Sequence, residues 1–534
     1  MNITLISPSS PNISAFGARS LSSFLKKRGH TVQVITLSIV PDTYRNRNGF
    51  LYAKSYEYSN RIINQTMEIA GQSDLIGISF MTQYFNCAIQ ITEAIKKRFP
   101  TPIIWGGVHP TVRPEECLAY ADIICIGEGE EALAELAERM ERGQDYSDIA
   151  NLCLVRNNEI IRNPLRPLLQ DLDTLPWLDY GPENHYVRDL QTDNLVPFDE
   201  EYFMRFMATV SYYRNIPLKS FMYFTTRGCP YNCSYCVNDF YRKMYGARGF
   251  VRKLSVERVV EELENITMNH PCIEEIEFCD DNFALRPVSE IEHFAGLYKK
   301  RIGLPFQLLI SPQNITDEKI VPLLDAGLVF VETGIQSVAE KTKELYQRSL
   351  EEEKLLTAAR ILNKYRDRMA PPCYHLILDN PFENTEDTLK TFNLTLKLPR
   401  PFWFKRSSLV PFPETLIHHR YDAAGLIKDE HLEIYNKILE MPSTNYINFL
   451  FLLNNQNYPI WLLRLLSRRG IVEIFNRKLW IPFLEIAENW IYMASKIMKV
   501  LLIVIRGDWK ALRKRILMIG KVSKGMTSSK PPAF

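Results

Sequence analysis

The sequence predicts an α/β protein with two successive parallel sheets, followed by a helical C-terminal region. Apolar runs alternate with helical patterns over residues 1–145, the alternation resumes near residue 221, and strand signals stop after about residue 426. Such alternation is typical of βαβ units in a parallel sheet. We therefore divide the chain into a first α/β domain (1–145), a connector (146–215), a second α/β core (216–427) and a helical region (428–534).

The first domain is predicted to be doubly wound, with loop residues that could contact a ligand where its strands end. Gly106-Gly107 follows the fourth apolar run, and Gly127-Glu128-Gly129 follows the fifth. Ligands of open parallel sheets bind at these carboxyl ends. The alternative is that the glycines only make turns. The predicted strands are Ile3–Ile6, Val32–Leu37, Leu75–Phe80, Ile103–Trp105 and Ile123–Ile126.

The second core is predicted to be a partial barrel of about six βα units, with its chemistry on the loops at the carboxyl ends of the strands. Residues 146–215 before it are rich in proline and weakly periodic, so we expect a connector that wraps between domains. The predicted strands are Phe221–Thr225, Glu275–Phe278, Phe306–Ile310, Val329–Thr333, Tyr374–Leu378 and Phe404–Leu409.

Composition excludes several classes of protein. A formal charge of +2 over 534 residues is too near neutral for a polyanion binder, so we expect no nucleic-acid partner. No basic region precedes the first apolar run, so no secretory signal is visible. Ten cysteines in such a chain indicate reduced thiols rather than disulfides. These features predict a cytoplasmic protein.

Cys229, Cys233 and Cys236 form a C-x3-C-x2-C array directly after an apolar strand. Three thiolates at this spacing can hold one corner of an iron–sulfur cubane and leave one iron without a protein ligand. Structural zinc is the alternative, but it normally has four protein ligands. The next candidates in sequence, His270 and Cys272, are distant.

With Tyr235 as the aromatic residue before its last cysteine, this array resembles the signature of radical S-adenosylmethionine (SAM) enzymes. Later segments are similar to the cobalamin-binding branch of that family. The resemblance implies three cofactors, namely a 4Fe–4S cluster on the cysteines, SAM and cobalamin. It also implies an external one-electron reductant such as flavodoxin or ferredoxin.

The same resemblance implies a set of SAM-binding residues. Glu277–Phe283 matches the family's acidic strand-end motif, although Asp281 or Asn282 could instead cap a helix. Phe330–Ser337 is similar to a Gly-Ile-Glu-Ser segment, with Gln336 in place of the glutamate. Ser311 occupies the position at which many relatives have an arginine. The expected SAM-binding residues are Tyr235, Asp280, Asp281, Ser311, Glu332 and Gln336.

The first domain resembles the cobalamin-binding domain of this branch. Many such domains place a cobalt-ligating histidine in the loop after the first strand, but Ser7–Phe16 has none. His30 and His109 lie elsewhere, so we expect cobalt without a protein imidazole on its lower face. The expected cobalamin-binding residues are Ser10, Gly106, Gly107, Gly127, Glu128 and Gly129.

The resemblance implies a cobalamin-dependent radical SAM methyltransferase. In that family a 5′-deoxyadenosyl radical activates an unreactive carbon, which then takes a methyl group from methylcobalamin. A radical enzyme that uses both cofactors without methyl transfer, such as an oxidative cyclase, is the second hypothesis. A cobalamin-binding sensor without catalysis is a remote third.

The C-terminal tail is predicted to contact the inner face of a membrane, where it would serve a small-molecule or lipid-like substrate. Residues 485–506 present a broad apolar face, and residues 506–534 hold eight Lys or Arg against one acid, Asp508. A broad apolar face beside a basic cluster suits an interfacial helix on an anionic leaflet. A helix packed on the barrel or on a partner, with a solvated basic end, is the alternative.

Overall fold

The computed structural model describes residues 1–10, 14–207 and 218–505, and it contains both predicted parallel sheets. The first sheet has nine strands, and a separate hairpin (β3, Thr43–Arg45, and β4, Leu51–Ala53) extends from it. The sheet strands are β1 (Asn2–Ser9), β2 (Thr31–Ser38), β5 (Leu75–Ser79), β6 (Ile103–Gly106), β7 (Ile123–Cys125), β8 (Leu152–Arg156), β9 (Glu159–Arg162), β10 (His185–Asp189) and β11 (Asn194–Pro197).

The residues assigned to a connector instead extend this sheet at both edges. The strand order is β11-β10-β2-β1-β5-β6-β7-β8-β9, with β10 parallel to β2 and β8 antiparallel to β7. The first domain therefore reaches residue 197 rather than 145. Edge strands of four or five residues carry too little periodicity to be recognised from sequence.

Amphipathic helices cover both faces of the first sheet. In α1 the buried positions recur at Ala18, Ser22 and Leu25, which is the spacing of one helical face. The helices are α1 (Phe16–Lys27), α2 (Asn60–Ala70), α3 (Phe85–Lys96), α4 (Val108–Val112), α5 (Pro114–Cys117) and α6 (Glu130–Glu141).

The second sheet has six parallel strands, which confirms the predicted partial barrel. They are β12 (Ser220–Tyr223), β15 (Glu275–Phe278), β16 (Phe306–Leu309), β17 (Leu328–Gln336), β18 (Cys373–Leu378) and β19 (Trp403–Ser408). A small ribbon follows β12, formed by β13 (Thr226–Arg227) and β14 (Arg252–Lys253). Phe278 packs in edge-to-face contacts with Phe294 and Phe306, so aromatic rings fill the space between strands and helices.

Helices follow the barrel strands and continue to the described end of the chain, as predicted. The barrel helices are α7 (Glu200–Phe206), α8 (Val237–Tyr245), α9 (Val256–Asn269), α10 (Val288–Arg301), α11 (Asp317–Ala326), α12 (Glu340–Leu345), α13 (Glu352–Lys364), α14 (Thr385–Thr395) and α15 (Leu416–Ala423). The C-terminal helices are α16 (Tyr446–Asn455), α17 (Ile460–Leu466), α18 (Arg469–Phe475) and α19 (Ile481–Ile505). Within the described ranges, no helix combines the length and apolarity needed to cross a bilayer.

Candidate functional site

The loop that carries the three cysteines is tightly fixed. Gly228 has a φ of +85°, and a Cβ there would lie 2.5 Å from the Phe250 carbonyl oxygen, so only glycine fits. The Ser234 amide donates to the Tyr346 carbonyl at 3.0 Å, and its hydroxyl donates to the Leu345 carbonyl at 2.7 Å. These bonds attach the loop to the segment that follows α12.

The three thiols of the cysteine loop are wholly or partly buried. Burial raises the pKa of Cys229 to about 11 and that of Cys236 to about 12, so bound iron would have to displace their protons. A tetrahedral zinc ion needs thiolates about 3.8 Å apart. Among the described residues, the three sulfurs do not all lie within 4.8 Å of one another. The structure therefore does not bring the three sulfurs as close together as a single zinc ion requires.

Arg348 contacts the cysteine loop, and no pattern in the sequence predicts this contact. Its Nη1 donates to the Cys233 sulfur at 3.7 Å, and its Nη2 donates to the Gly334 carbonyl at 2.9 Å. The Nε atom is buried without a hydrogen-bond partner. The guanidinium therefore keeps a hydrogen-bond donor available beside the loop.

A cavity of about 480 Å³ separates the first domain from the cysteine loop. One wall is formed by the carboxyl ends of strands β5, β6 and β7 and contains five glycines, Gly77, Gly106, Gly107, Gly127 and Gly129. The opposite wall contains Phe224, Arg227 and Gly228, immediately before Cys229. Small residues on the wall of a mostly apolar cavity leave room for a flat macrocycle, so this wall fits cobalamin.

Partly buried ion pairs join the two walls. Arg227 contacts Glu128 at 3.1 Å and Glu130 at 2.6 Å, and Arg252 donates to both oxygens of Glu128 at 2.8 and 2.9 Å. Burial alone would raise the pKa of Glu130, but the Arg227 guanidinium and the Ser20 hydroxyl hold it below its ordinary value. The cysteine loop is thus fixed to the glycine-rich wall by paired charges.

Five of the six expected cobalamin-binding residues line the cavity, namely Gly106, Gly107, Gly127, Glu128 and Gly129. Ser10 is exposed and does not line it; it interacts with the Tyr84 hydroxyl. The Glu128 side chain points to the two arginines, which leaves its backbone to face the cavity. No histidine is among the described lining residues.

His109 and His30 both lie away from the cavity. His109 is fully buried between Phe85 and Tyr435, and burial lowers its pKa to about 3. His30 lies beside the amino terminus, 3.4 Å from Met1. Neither histidine is among the lining residues of this cavity.

The two acidic residues after β15 differ in their surroundings. Asp280 is buried, and its carboxylate accepts the amides and hydroxyls of Thr225 and Thr226 at 2.5–3.0 Å. Asp281 lines the cavity and accepts a bond from the Asn238 amide at 2.8 Å. Asp281 is therefore the carboxylate that remains open to a ligand.

Two further expected SAM-binding residues leave polar atoms unpaired near the strand ends, and a third, Tyr235, packs beside the cysteine loop. The Ser311 hydroxyl and the Gln336 Oε1 are buried without hydrogen-bond partners. Gln336 also has a φ of +66°, an uncommon conformation for a non-glycine residue and one often found at functional sites. The ring of Tyr235 packs edge-to-face against that of Tyr346, with the ring centroids 4.9 Å apart.

Glu332, the last of the expected residues, belongs to a polar cluster inside the barrel. It lies 2.6 Å from the His375 Nε2 and 3.9 Å from the Lys405 ammonium. Burial, together with the charge of Glu332, raises the pKa of the neighbouring Glu277 to about 7. Glu332, Cys373 and His375 also bring their ligand-type atoms within 4.8 Å of one another. The direct bond between Glu332 and His375 already satisfies that pair.

Comparisons with known proteins match both halves of the chain. The model of the B12 binding domain matches residues 5–137, and that of the radical SAM superfamily matches residues 223–395. An uncharacterized methyltransferase of Pyrococcus horikoshii is 27% identical over 68% of this chain and 73% of its own length. The bacteriochlorophyllide d C-8(2)-methyltransferase of Chlorobaculum tepidum is 25% identical over 71% of this chain and 76% of its own.

A solved structure shares the same arrangement of domains. The radical SAM methyltransferase TsrM from Kitasatospora setae superposes with a TM-score of 0.59 at 17% identity, covering 80% of this chain and 77% of that one. The shared fold, the two matched domains and the cysteine loop beside a glycine-lined cavity agree with one another. This chain belongs to the radical SAM enzymes that carry an N-terminal cobalamin-binding domain.

Proposed function

We propose that this protein is a cobalamin-dependent radical SAM methyltransferase that methylates an unactivated carbon. A single observation supports this most strongly: one cavity is bordered both by the glycine-rich wall and by the residues that precede Cys229. When bound, the cluster with SAM supplies a 5′-deoxyadenosyl radical, and methylcobalamin supplies the methyl group. The radical and the methyl group would then both be supplied within one enclosed cavity.

The chain's own residues have distinct roles in this proposal. Cys229, Cys233 and Cys236 hold the cluster, and Arg348 donates a hydrogen bond to Cys233. Asp281, Ser311 and Gln336 offer oxygens to the methionyl end of SAM. Asp280 is a positioning residue, because its carboxylate fixes the Thr225–Thr226 backbone that leads into the cysteine loop.

The cavity walls also protect a radical from water. Leu5, Ile104 and Leu133 from the first domain and Leu172 and Leu175 from the segment after β9 line it. Apolar walls exclude the solvent that would quench or divert reactive intermediates.

The proposal predicts two adenosyl products in the same reaction. Anaerobically reconstituted protein with SAM, a one-electron reductant and a methyl-accepting substrate should form both 5′-deoxyadenosine and S-adenosylhomocysteine. One SAM is consumed to generate the radical, and another restores the methyl group on cobalamin. Liquid chromatography with mass spectrometry measures both. Formation of 5′-deoxyadenosine with product but without S-adenosylhomocysteine would exclude methyl transfer.

Formation of product and 5′-deoxyadenosine without S-adenosylhomocysteine would support a non-methylating radical enzyme. The anaerobic magnesium-protoporphyrin IX monomethyl ester cyclase of Rubrivivax gelatinosus is a weaker match, 22% identical over 50% of this chain. The methyltransferases match more of the chain at higher identity. Methyl transfer is therefore the better supported function.

A second prediction concerns the lower face of cobalt. Because no described lining residue is a histidine, bound cob(II)alamin should give an EPR spectrum without nitrogen splitting from a protein imidazole. The spectra of His30→Ala and His109→Ala proteins should match that of the wild type. Nitrogen splitting that disappears in either variant would contradict the prediction.

The reaction uses a small-molecule substrate and an external one-electron reductant. We propose flavodoxin or ferredoxin as the reductant and a lipid-like molecule as the substrate. The predicted basic tail, residues 506–534, lies outside the described residues, but the helices before it support contact with a membrane. Their exposed apolar side chains are Trp461, Leu465, Ile474, Leu479, Phe483, Ile486, Trp490, Met493 and Ile497.

Five of these side chains form one stripe along α19. Phe483, Ile486, Trp490, Met493 and Ile497 recur at three- and four-residue spacing, which places them on one face of a helix. Exposed basic residues precede the stripe in the chain: Arg464, Arg468, Arg469, Arg477 and Lys478. We propose that this face, the apolar–basic surface, rests on an anionic leaflet.

Vesicle sedimentation tests the apolar–basic surface. Trp490 is 66% exposed, so Trp490→Glu should leave folding intact and lower binding to anionic vesicles about tenfold, since a buried aromatic side chain contributes about 1.5–3 kcal/mol. Met268→Glu is the matched control, because Met268 is 74% exposed on α9. Equal sedimentation of both variants and the wild type would contradict membrane contact through this surface.

A further inference from the structure

A second cavity of about 430 Å³ lies next to the residues that follow the carboxyl end of β18. It is enclosed by the turn between β18 and α14, the segment 443–448, the β3–β4 hairpin and the turn between α18 and α19. It shares no lining residue with the cavity beside the cysteine loop. Its polar lining residues include Asn48, Asn380, Asn384, Thr388, Arg477 and Lys478.

The acidic groups of this cavity already have partners within the protein. The Asp379 carboxylate accepts from the Ser408 hydroxyl at 2.7 Å, the Ser443 amide and hydroxyl at 2.6 Å, and the Asn448 amide at 2.8 Å. The Lys437 ammonium also interacts with Asp379 electrostatically.

Glu383 is likewise satisfied. Its Oε1 accepts from the Ser337 and Thr342 hydroxyls at 2.7 Å, and its Oε2 accepts from Thr388 at 3.4 Å. Burial raises the pKa of this carboxyl. Neither acid therefore needs a cation from a ligand.

The groups that remain available are hydrogen-bond donors. Asn380 is only 6% exposed, and its Nδ2 has no hydrogen-bond partner. The Lys478 ammonium donates to the Asn48 Oδ1 at 2.6 Å, which leaves two of its three protons for other partners. Arg477 adds a guanidinium to the same wall. A buried unpaired donor beside two cations favours an anionic ligand with several acceptor oxygens.

This cavity opens at the edge of the apolar–basic surface. Arg477 and Lys478 lie between the exposed Ile474 and Leu479, and Ile481 and Leu484 of α19 form part of the cavity wall. Phe483 and Ile486 on the next turn belong to the exposed stripe. A charged group held in the cavity would have an apolar surface directly next to it.

We propose that the cavity binds the phosphate of an anionic phospholipid headgroup, with the acyl chains against the apolar–basic surface. Arg477, Lys478 and the Asn380 amide contact the phosphate oxygens, and Phe483 and Ile486 contact the chains. This inference extends the proposed membrane contact from general attraction to recognition of one lipid molecule at a defined site. It does not depend on methyl transfer.

Isothermal titration calorimetry with soluble dihexanoyl phosphatidylglycerol tests the site on the reconstituted full chain. We expect single-site binding that weakens at least about tenfold in Arg477→Gln and in Asn380→Leu, since each loses a donor to a charged group. Arg360→Gln is the matched control, because it removes the same charge from an exposed side chain that pairs with Glu353 outside both the cavity and the apolar–basic surface. Iron and cobalamin contents should be unchanged in all three variants.

Three outcomes would overturn the proposal: absence of lipid binding, equal weakening in Arg360→Gln, or inorganic phosphate binding as tightly as the lipid. The last would indicate a free-anion site. If the full chain binds the soluble lipid but does not sediment with vesicles, the result would contradict the membrane contact alone. The lipid-binding cavity would still be supported.

Discussion

Replacing Cys229, Cys233 or Cys236 with alanine is expected to remove most bound iron and to abolish reductive cleavage of SAM. Three thiolates are the minimum that holds a cubane with one open iron, and a two-ligand cluster is labile. After anaerobic reconstitution, iron analysis measures the iron content and EPR detects the cluster. The yield of 5′-deoxyadenosine measures reductive cleavage of SAM.

Cys279→Ala and Cys373→Ala are the matched controls, since both are thiols within the same barrel but outside the loop. Each should keep the cluster signal and its response to SAM. A SAM-responsive cluster in any single variant of the three loop cysteines would show that the cluster is held elsewhere.

Replacing Arg227 with methionine is expected to destabilise the interface between the two domains. The change leaves the buried Glu130 carboxylate without its cation, which costs about 3 kcal/mol when a buried pair is broken. Chemical denaturation measures the decrease in the free energy of unfolding. Cobalamin affinity should fall with it, because Glu128 and Gly129 line the cavity that receives the cofactor.

The pH dependence of this effect identifies its cause. In the wild type the pKa of Glu130 is lowered, so its contribution to stability is present above the unfolded value of about 4.3 and fades as pH falls. In Arg227→Met, burial dominates and raises that pKa, so the folded state is penalised as pH rises. The difference between the two proteins should therefore shrink from pH 7 towards pH 4.

Two further variants separate the ion pair from general loss of charge. Arg28→Met removes an arginine whose pairs with Glu131 and Glu138 are exposed, so it should cost less than about 1 kcal/mol. Glu130→Gln combined with Arg227→Met should recover part of the lost stability. A pH-independent loss in Arg227→Met would attribute the effect to packing instead.

Local patterns in the sequence predicted most of the fold. The buried strands of both sheets are short apolar runs bounded by glycine or polar turns, and the cysteine spacing specifies its own chemistry. The edge strands β8–β11 lack such patterns, because they are short and partly exposed. Their pairing depends on neighbours distant in the chain, such as β2.

The site was less predictable, because its contacts join residues far apart in sequence. Arg348 reaches Cys233 across 115 residues, and Arg227 reaches Glu128 across 99. An arginine in a helical or loop context gives no sign of such a partner. Asp280 shows the converse, since its motif suggested a ligand-binding carboxylate whereas its surroundings show four donors from Thr225 and Thr226.

The strands that flank the first sheet limit how this enzyme could exchange modules with its relatives. Cutting the chain at residue 145 would strip β10 from β2 and β8 from β7, exposing two long rows of unpaired backbone groups. Such open edges promote self-association. A transferable cobalamin module would therefore have to include residues up to 197, so recombination between family members should succeed only at junctions beyond β11.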